Sequence, residues 1–151
     1  MHGFKQVSAE TLAEYEAVAE RVRAELSAAG LPIAAPDYSP EADSNYGVLV
    51  GVDPGDDAAG GVTVEWNCRQ AIRDRMIDAL QQRKYDAPAI WRNGAIVTAM
   101  NTAITEILTS AGFTVVENPN DMAPMTLKVM ATPTPGAALS FENATSSTEQ
   151  A

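Results

Sequence analysis

A central helix is predicted by the segment Pro88-Ala-Ile-Trp-Arg-Asn-Gly-Ala-Ile-Val-Thr-Ala-Met-Asn-Thr-Ala-Ile-Thr-Glu-Ile-Leu-Thr-Ser-Ala-Gly112. Pro88 suits the first helical turn and Gly112 suits the left-handed position that follows a helix, so the helix is bounded at residues 88–111. Apolar residues recur along one side at helical spacing and predict the side that packs on the core. They are Ile90, Val97, Met100, Ile104, Ile107, Leu108 and Ala111.

The opposite side of this helix is nearly uncharged, because Arg92 and Glu106 are the only charged residues of the segment. A helix surface that faces solvent is ordinarily rich in Glu and Lys. An aromatic side chain among small, uncharged residues is instead typical of a protein interface. We therefore predict an interface made of Trp91, Ala95, Thr98, Ala99, Thr102, Thr105 and Thr109. The sequence leaves open whether another chain covers this face or whether the first or second helix of the same chain does.

Length and composition indicate one globular domain with an acidic surface. The chain has 151 residues, of which 46% are hydrophobic and 20% charged, and its formal net charge is -10. An acidic surface disfavours binding to nucleic acid and to anionic membranes, which both require basic patches. Residues 1–132 are predicted to form the domain. Residues 133–151, rich in Ser, Thr, Ala and Pro and without Lys or Arg, are predicted to form a disordered acidic tail.

Residues that carry chemistry are few in this sequence. One cysteine, Cys68, and one histidine, His2, are too few for an intrachain disulfide or a Cys/His metal cluster. Neither an activated nucleophile, a glycine-rich phosphate loop nor an EF-hand pattern occurs, so we predict no catalytic residues, no metal and no cofactor. A pair of carboxylates brought together only in space is the remaining route to an enzyme. The absence of a signal-peptide pattern and of a long apolar run predicts a cytoplasmic protein.

Two further helices are predicted. The first covers residues 9–29, where Ser8 is a suitable N-cap and a glycine follows the last turn. The second covers residues 68–84, because Asn67 and Gln70 stand at the spacing of a reciprocal capping box.

Four segments alternate between apolar and polar residues and predict strands. Residues 46–52 and 62–66 flank a turn-rich loop and predict an antiparallel hairpin, and residues 113–116 and 125–130 predict a second one. The element order α-β-β-α-α-β-β then predicts an α+β fold, in which three helices pack on an antiparallel sheet of about four strands built from two hairpins.

Arg69 and Arg73 are the best candidates for binding a ligand. They stand one turn apart at the start of the second helix, where free backbone amides and the helix dipole favour an anion. Two guanidinium groups there would hold a phosphate or a carboxylate, beside the bare backbone strip at Gly47 and Gly51. The alternative is an internal role, such as an ion pair with Glu65 or packing of the arginine stems over apolar surface.

These observations favour a non-enzymatic cytoplasmic module that binds a protein chain through the central helix, either as a homo-oligomer or with a different partner. Two alternatives stay open. One is a small anionic-ligand-binding domain that uses Arg69 and Arg73. The other is an acidic inhibitor or immunity-type protein that covers a basic enzyme, whose association would weaken steeply with added salt.

Overall fold

The computed structural model describes residues 5–35, 45–56, 60–117 and 125–130. Within these ranges it contains three helices and one four-stranded antiparallel sheet in the predicted order, which confirms the α+β fold. The elements are α1 (Ala9–Ala28), β1 (Gly47–Asp53), β2 (Gly61–Asn67), α2 (Gln70–Gln81), α3 (Pro88–Ser110), β3 (Val115–Glu117) and β4 (Leu127–Val129). None of these helices is long and apolar enough to cross a membrane. The tail predicted at residues 133–151 lies outside the described residues.

The sheet joins the two predicted hairpins in the strand order β1-β2-β4-β3. β1 and β2 pair over seven residues each, with Val50 opposite Val64. β4 lies between β2 and β3, because Val129 stands opposite Val62 on one side and opposite Val115 on the other. The short strand β3 is therefore at one edge of the sheet, and β1 is at the other.

The edge of β1 is bordered by the segment that follows α1. The Val48 amide donates to the Pro32 carbonyl oxygen and the Ala34 amide donates to the Val48 carbonyl oxygen, each at 2.8 Å. Gly47 has a φ of 107°, and a Cβ at this position would overlap the carbonyl oxygen of Pro32. Glycine is required at this position by the close approach of two backbones. The segment that contains Pro32 therefore covers the Gly47 end of the bare backbone strip predicted at Gly47 and Gly51.

The core lies between one face of the sheet and the two long helices. α1 contributes Val22 and Leu26, and α3 contributes Ile104 and Leu108, all four without accessible surface. Alternate residues of the strands complete the cluster, as the period of a one-sided sheet requires. These residues are Val48, Val50, Val62, Val64, Leu127 and Val129. The predicted inner side of the central helix is confirmed for Val97, Ile104, Leu108 and Ala111, which are buried, whereas Ile90 and Met100 are only partly buried.

Local sequence explains where α1 and α3 begin and end. The Ser8 Oγ accepts a hydrogen bond from the Thr11 amide at 3.2 Å, and Pro88 is the first residue of α3. Gly30 and Gly112 follow the two helices with φ values of 99° and 96°. Side-chain oxygens satisfy free amides at a helix start, and only glycine adopts a positive φ without strain at its end. Both predicted helices are confirmed to within one residue.

The start of α2 differs from the prediction. Asn67 is the last residue of β2, where it pairs with Gly47, and its Nδ2 donates to the Asn45 carbonyl oxygen at 3.2 Å. Its side chain is therefore not a helix cap, and the predicted capping box with Gln70 is wrong. Arg69 takes the N-cap position without a side-chain bond to the helix. Pairing in the sheet outweighed the local capping preference, which is worth only about 1 kcal/mol.

α2 packs mainly against α3 rather than against the sheet. It buries a single residue, Ala79. Helical spacing groups Leu80 with Ala79 and predicts an inward side chain, but Leu80 is 42% exposed. Strand alternation likewise groups Met125 with Leu127 and Val129 on one inner face, but Met125 precedes β4 and is 43% exposed. Both corrections concern residues at the end of an element, where periodicity no longer fixes the side-chain direction.

Candidate interface on the central helix

The outer face of α3 is exposed along its length. Trp91 has 73% of its surface accessible, and Ala95, Thr98, Ala99, Thr102 and Thr109 are also exposed, with Thr105 intermediate. α2 packs beside this face and α1 packs on the inner side of the fold, so neither covers it. The sequence left open whether the first or second helix covers this face. In the described part of the chain, neither helix does.

The exposed face forms the floor of a groove. A cavity of about 710 Å³ opens over the N-terminal half of α3. It is lined by Tyr85, Ile90, Trp91, Gly94, Ala95, Thr98, Ala99 and Met125. A second cavity of about 470 Å³ follows over the C-terminal half, between α3 and the strands β3 and β4. Thr98 and Met125 line both cavities, so the two form one continuous groove.

Most of the predicted interface residues meet in this groove. Trp91, Ala95 and Ala99 line its first half, Thr102 and Thr105 its second half, and Thr98 both. Thr109 lies one turn beyond Thr105 and lines neither cavity among the residues described. Six of the seven predicted residues therefore share the floor of the groove, and their role as an interface stays a prediction.

The walls of the groove come from distant parts of the chain and were not predicted. Tyr85 precedes α3 and is 67% exposed, while Met125 and Val116 rise from the sheet side and are 43% and 41% exposed. The Asn101 Nδ2 donates to the Met125 carbonyl oxygen at 2.9 Å, which ties the start of β4 to α3. Exposed large apolar side chains clustered at one site mark an interaction surface. In the sequence, Tyr85 and Met125 stand out only as large apolar residues at the ends of predicted helices and strands, which does not indicate that they meet.

Two charged residues flank the groove. Arg92 and Glu106 are exposed, and neither has a salt-bridge partner among the described residues. Arg92 shares a small cleft beside α2 with Arg75, and Glu106 lines the second cavity together with Glu117. Basic side chains thus lie beside the groove at the N-terminal end of α3, and acidic side chains line its C-terminal half.

The predicted arginine pair is engaged within the chain. The guanidinium carbon of Arg69 lies 4.1 Å from the ring centroid of Tyr46, a cation–π contact. The Arg73 Nε donates to the Cys68 carbonyl oxygen at 2.9 Å. One side chain therefore stacks on a ring and the other binds the backbone, while ligand binding by the pair stays a prediction.

Cys68 is unsuited to nucleophilic chemistry. It is 4% exposed, and burial raises the pKa of its thiol, against the smaller lowering effects of a hydrogen bond with Trp66 and of the Arg73 charge. A reactive cysteine requires an exposed thiolate. Among the described residues, no three His, Cys, Asp or Glu side chains are grouped in a way that would hold a metal.

No protein-family model matches this chain, and no curated protein or solved structure matches it. Function must therefore be inferred from the chemistry of the molecular surface.

Proposed function

We propose that this protein is a protein-binding or assembly module that holds another polypeptide in the groove over the outer face of α3. The observation that carries the proposal is the 73% exposure of Trp91 beside small, uncharged residues on α3. A large aromatic side chain left in water is the kind of residue that supplies most of the binding energy in protein interfaces.

The shape of the groove supports a polypeptide occupant. The α3 residues that line it run from Ile90 to Glu106, so it extends over roughly 24 Å at about 1.5 Å per residue. Ala95, Ala99 and the threonines allow a partner backbone to approach the helix closely. Trp91, Tyr85 and Met125 supply apolar walls, a mode of recognition in which an amphipathic segment lies in a groove.

A photo-reactive amino acid at Thr98 tests the proposal in the organism that encodes the protein. Thr98 lies on the floor of both cavities, so irradiation is expected to join the chain covalently to one defined protein, either a second copy or another chain. The matched control places the same amino acid at Glu14, which is exposed on the outer side of α1. Adducts at position 98 no more abundant than at position 14 would contradict the proposal.

The two other functions suggested by the sequence have less support. Anion binding at Arg69 and Arg73 competes with the stacking on Tyr46 and the bond to Cys68. An inhibitor of a basic enzyme would use acidic surface such as the outer side of α1, and that surface has the solvated character of an ordinary helix. The groove, by contrast, exposes the large apolar side chains of Trp91, Tyr85 and Met125, which folding of the described chain leaves uncovered.

A further inference from the structure

The outer face of α3 repeats with the spacing of a helix–helix seam. Its residues follow one another in alternating steps of four and three: Trp91, Ala95, Thr98, Thr102, Thr105 and Thr109. This is the spacing at which one helix presents a continuous edge to a second helix lying nearly along it. Since the inner face of α3 already packs on the sheet, this second seam is available for a helix from outside the described chain.

The sizes of the seam residues suit an antiparallel partner of the same sequence. In the register that sets Thr98 against Thr102 of a second copy, Ala95 stands against Thr105 and Trp91 against Thr109. The large ring of Trp91 then always meets a small residue. In a parallel pairing the two Trp91 rings would instead meet each other at one end, while layers of Ala and Thr faced themselves along the rest of the seam.

The charges select the same register. Arg92 and Glu106 are 14 residues apart, or two heptads, so both occupy the same position beside the seam. Within one chain they are roughly 21 Å apart at about 1.5 Å per residue and do not reach each other. In the antiparallel register Arg92 stands beside Glu106 of the second copy, and two-fold symmetry repeats the pair. In a parallel pairing the two copies of each residue would lie on opposite sides of the contact, so neither ion pair would form.

The surroundings of the two residues extend this complementarity. Arg75 lines the same cleft as Arg92, and Glu117 lines the same cavity as Glu106. An antiparallel second copy therefore sets a basic end against an acidic end at both ends of the contact. The dipoles of the two helices also run in opposite directions, which is the favourable arrangement for neighbouring helices.

From these observations we infer that the occupant of the groove is a second copy of this chain, whose α3 packs antiparallel on α3 with Arg92 paired to Glu106. This inference rests on the proposed function and names its partner. It makes the protein a two-fold symmetric dimer in which one helix face serves both subunits.

Disulfide trapping tests the register directly. In a Cys68→Ala background, Ala95→Cys and Thr105→Cys are prepared as two separate variants and then mixed under mild oxidation. The mixture is expected to give a disulfide-linked dimer, and each variant alone is expected to stay unlinked, because residues 95 and 105 face each other only between antiparallel copies. Ala17→Cys, on the exposed side of α1, is the control for random collision. Self-linking of either groove variant, or no linking in the mixture, would overturn the inference.

Charge reversal provides a second test that leaves the fold intact, since both residues are exposed. Arg92→Glu and Glu106→Arg are each expected to weaken the dimer by about tenfold, because every dimer loses two ion pairs and gains two repulsions. The double variant is expected to recover most of that loss. Equal weakening by both singles without recovery in the double would contradict the pairing. A photo-adduct between position 98 and a different protein, with trapping absent, would reject the second copy while leaving the proposed function standing.

Discussion

α1 and α3 pack on the same face of the same sheet, yet their outer sides differ. On the inner side both contribute fully buried aliphatic residues, such as Leu26 and Ile104. On the outer side α1 is charged, with exposed Glu10, Glu14, Glu16, Glu20 and Arg21. α3 exposes an almost neutral surface that includes Trp91.

This difference shows that the outer side of α3 is not an ordinary solvated helix face. A shared sheet and a shared core impose the same inner pattern on both helices, but nothing in the described fold requires Ala and Thr on the outer side of one and Glu on the other. The proposed function accounts for the difference, since a second polypeptide held over α3 would leave α1 in water.

The inner sides should respond alike to truncation, with a larger loss of stability than any change on the outer sides. Leu26→Ala and Ile104→Ala each remove a side chain without accessible surface, so each is expected to lower the free energy of unfolding by about 2–5 kcal/mol. Urea titration followed by circular dichroism measures both. A loss below about 1 kcal/mol for Ile104→Ala alone would show that α3 is not packed as tightly as α1.

The outer sides should respond differently to the same added charge. Thr102→Arg and Ala17→Arg both alter exposed helix positions, so each is expected to change the stability of the isolated fold by no more than about 0.5 kcal/mol. Thr102→Arg, however, places two new charges in the centre of the proposed contact and is expected to weaken association by about 100-fold. Sedimentation at several concentrations compares the two variants. Equal association of Thr102→Arg, Ala17→Arg and the unmodified chain would remove the distinction between the helices.

A smaller effect is expected at Gly94, the one glycine within α3; α1 contains none. A Cβ at Gly94 would meet no atom within 4 Å, so Gly94→Ala is expected to stabilise the helix by about 0.5–1 kcal/mol. The same methyl group would narrow the groove that Gly94 lines, and association is expected to weaken. Thermal unfolding and sedimentation measure the two effects separately. A stabilised variant that associates as well as the unmodified chain would place the contact elsewhere.

The sequence was sufficient for the fold because the patterns that define it are local. Ser8, Pro88, Gly30 and Gly112 mark helix ends by their backbone chemistry, and alternation in the hairpin segments gives strands with one buried side. The floor of the groove was equally accessible, since Trp91 and its neighbours lie on one helix.

The parts that the sequence did not reveal depend on contacts between distant residues. The pairing of Asn67 with Gly47 in the sheet moved the start of α2, and the bond from Asn101 to the Met125 carbonyl oxygen brought Met125 to the groove wall. Local propensity does not encode such contacts. The stacking of Arg69 on Tyr46 was not predicted for the same reason, because Tyr46 directly precedes β1 and is distant from Arg69 in the sequence.

The most direct measurement is the solution mass of the unmodified chain by light scattering over a wide range of concentrations. We predict a defined species at twice the 16.0 kDa chain mass that dissociates on dilution. A particle that keeps the mass of one chain at every concentration would contradict the inference that α3 of a second copy fills the groove.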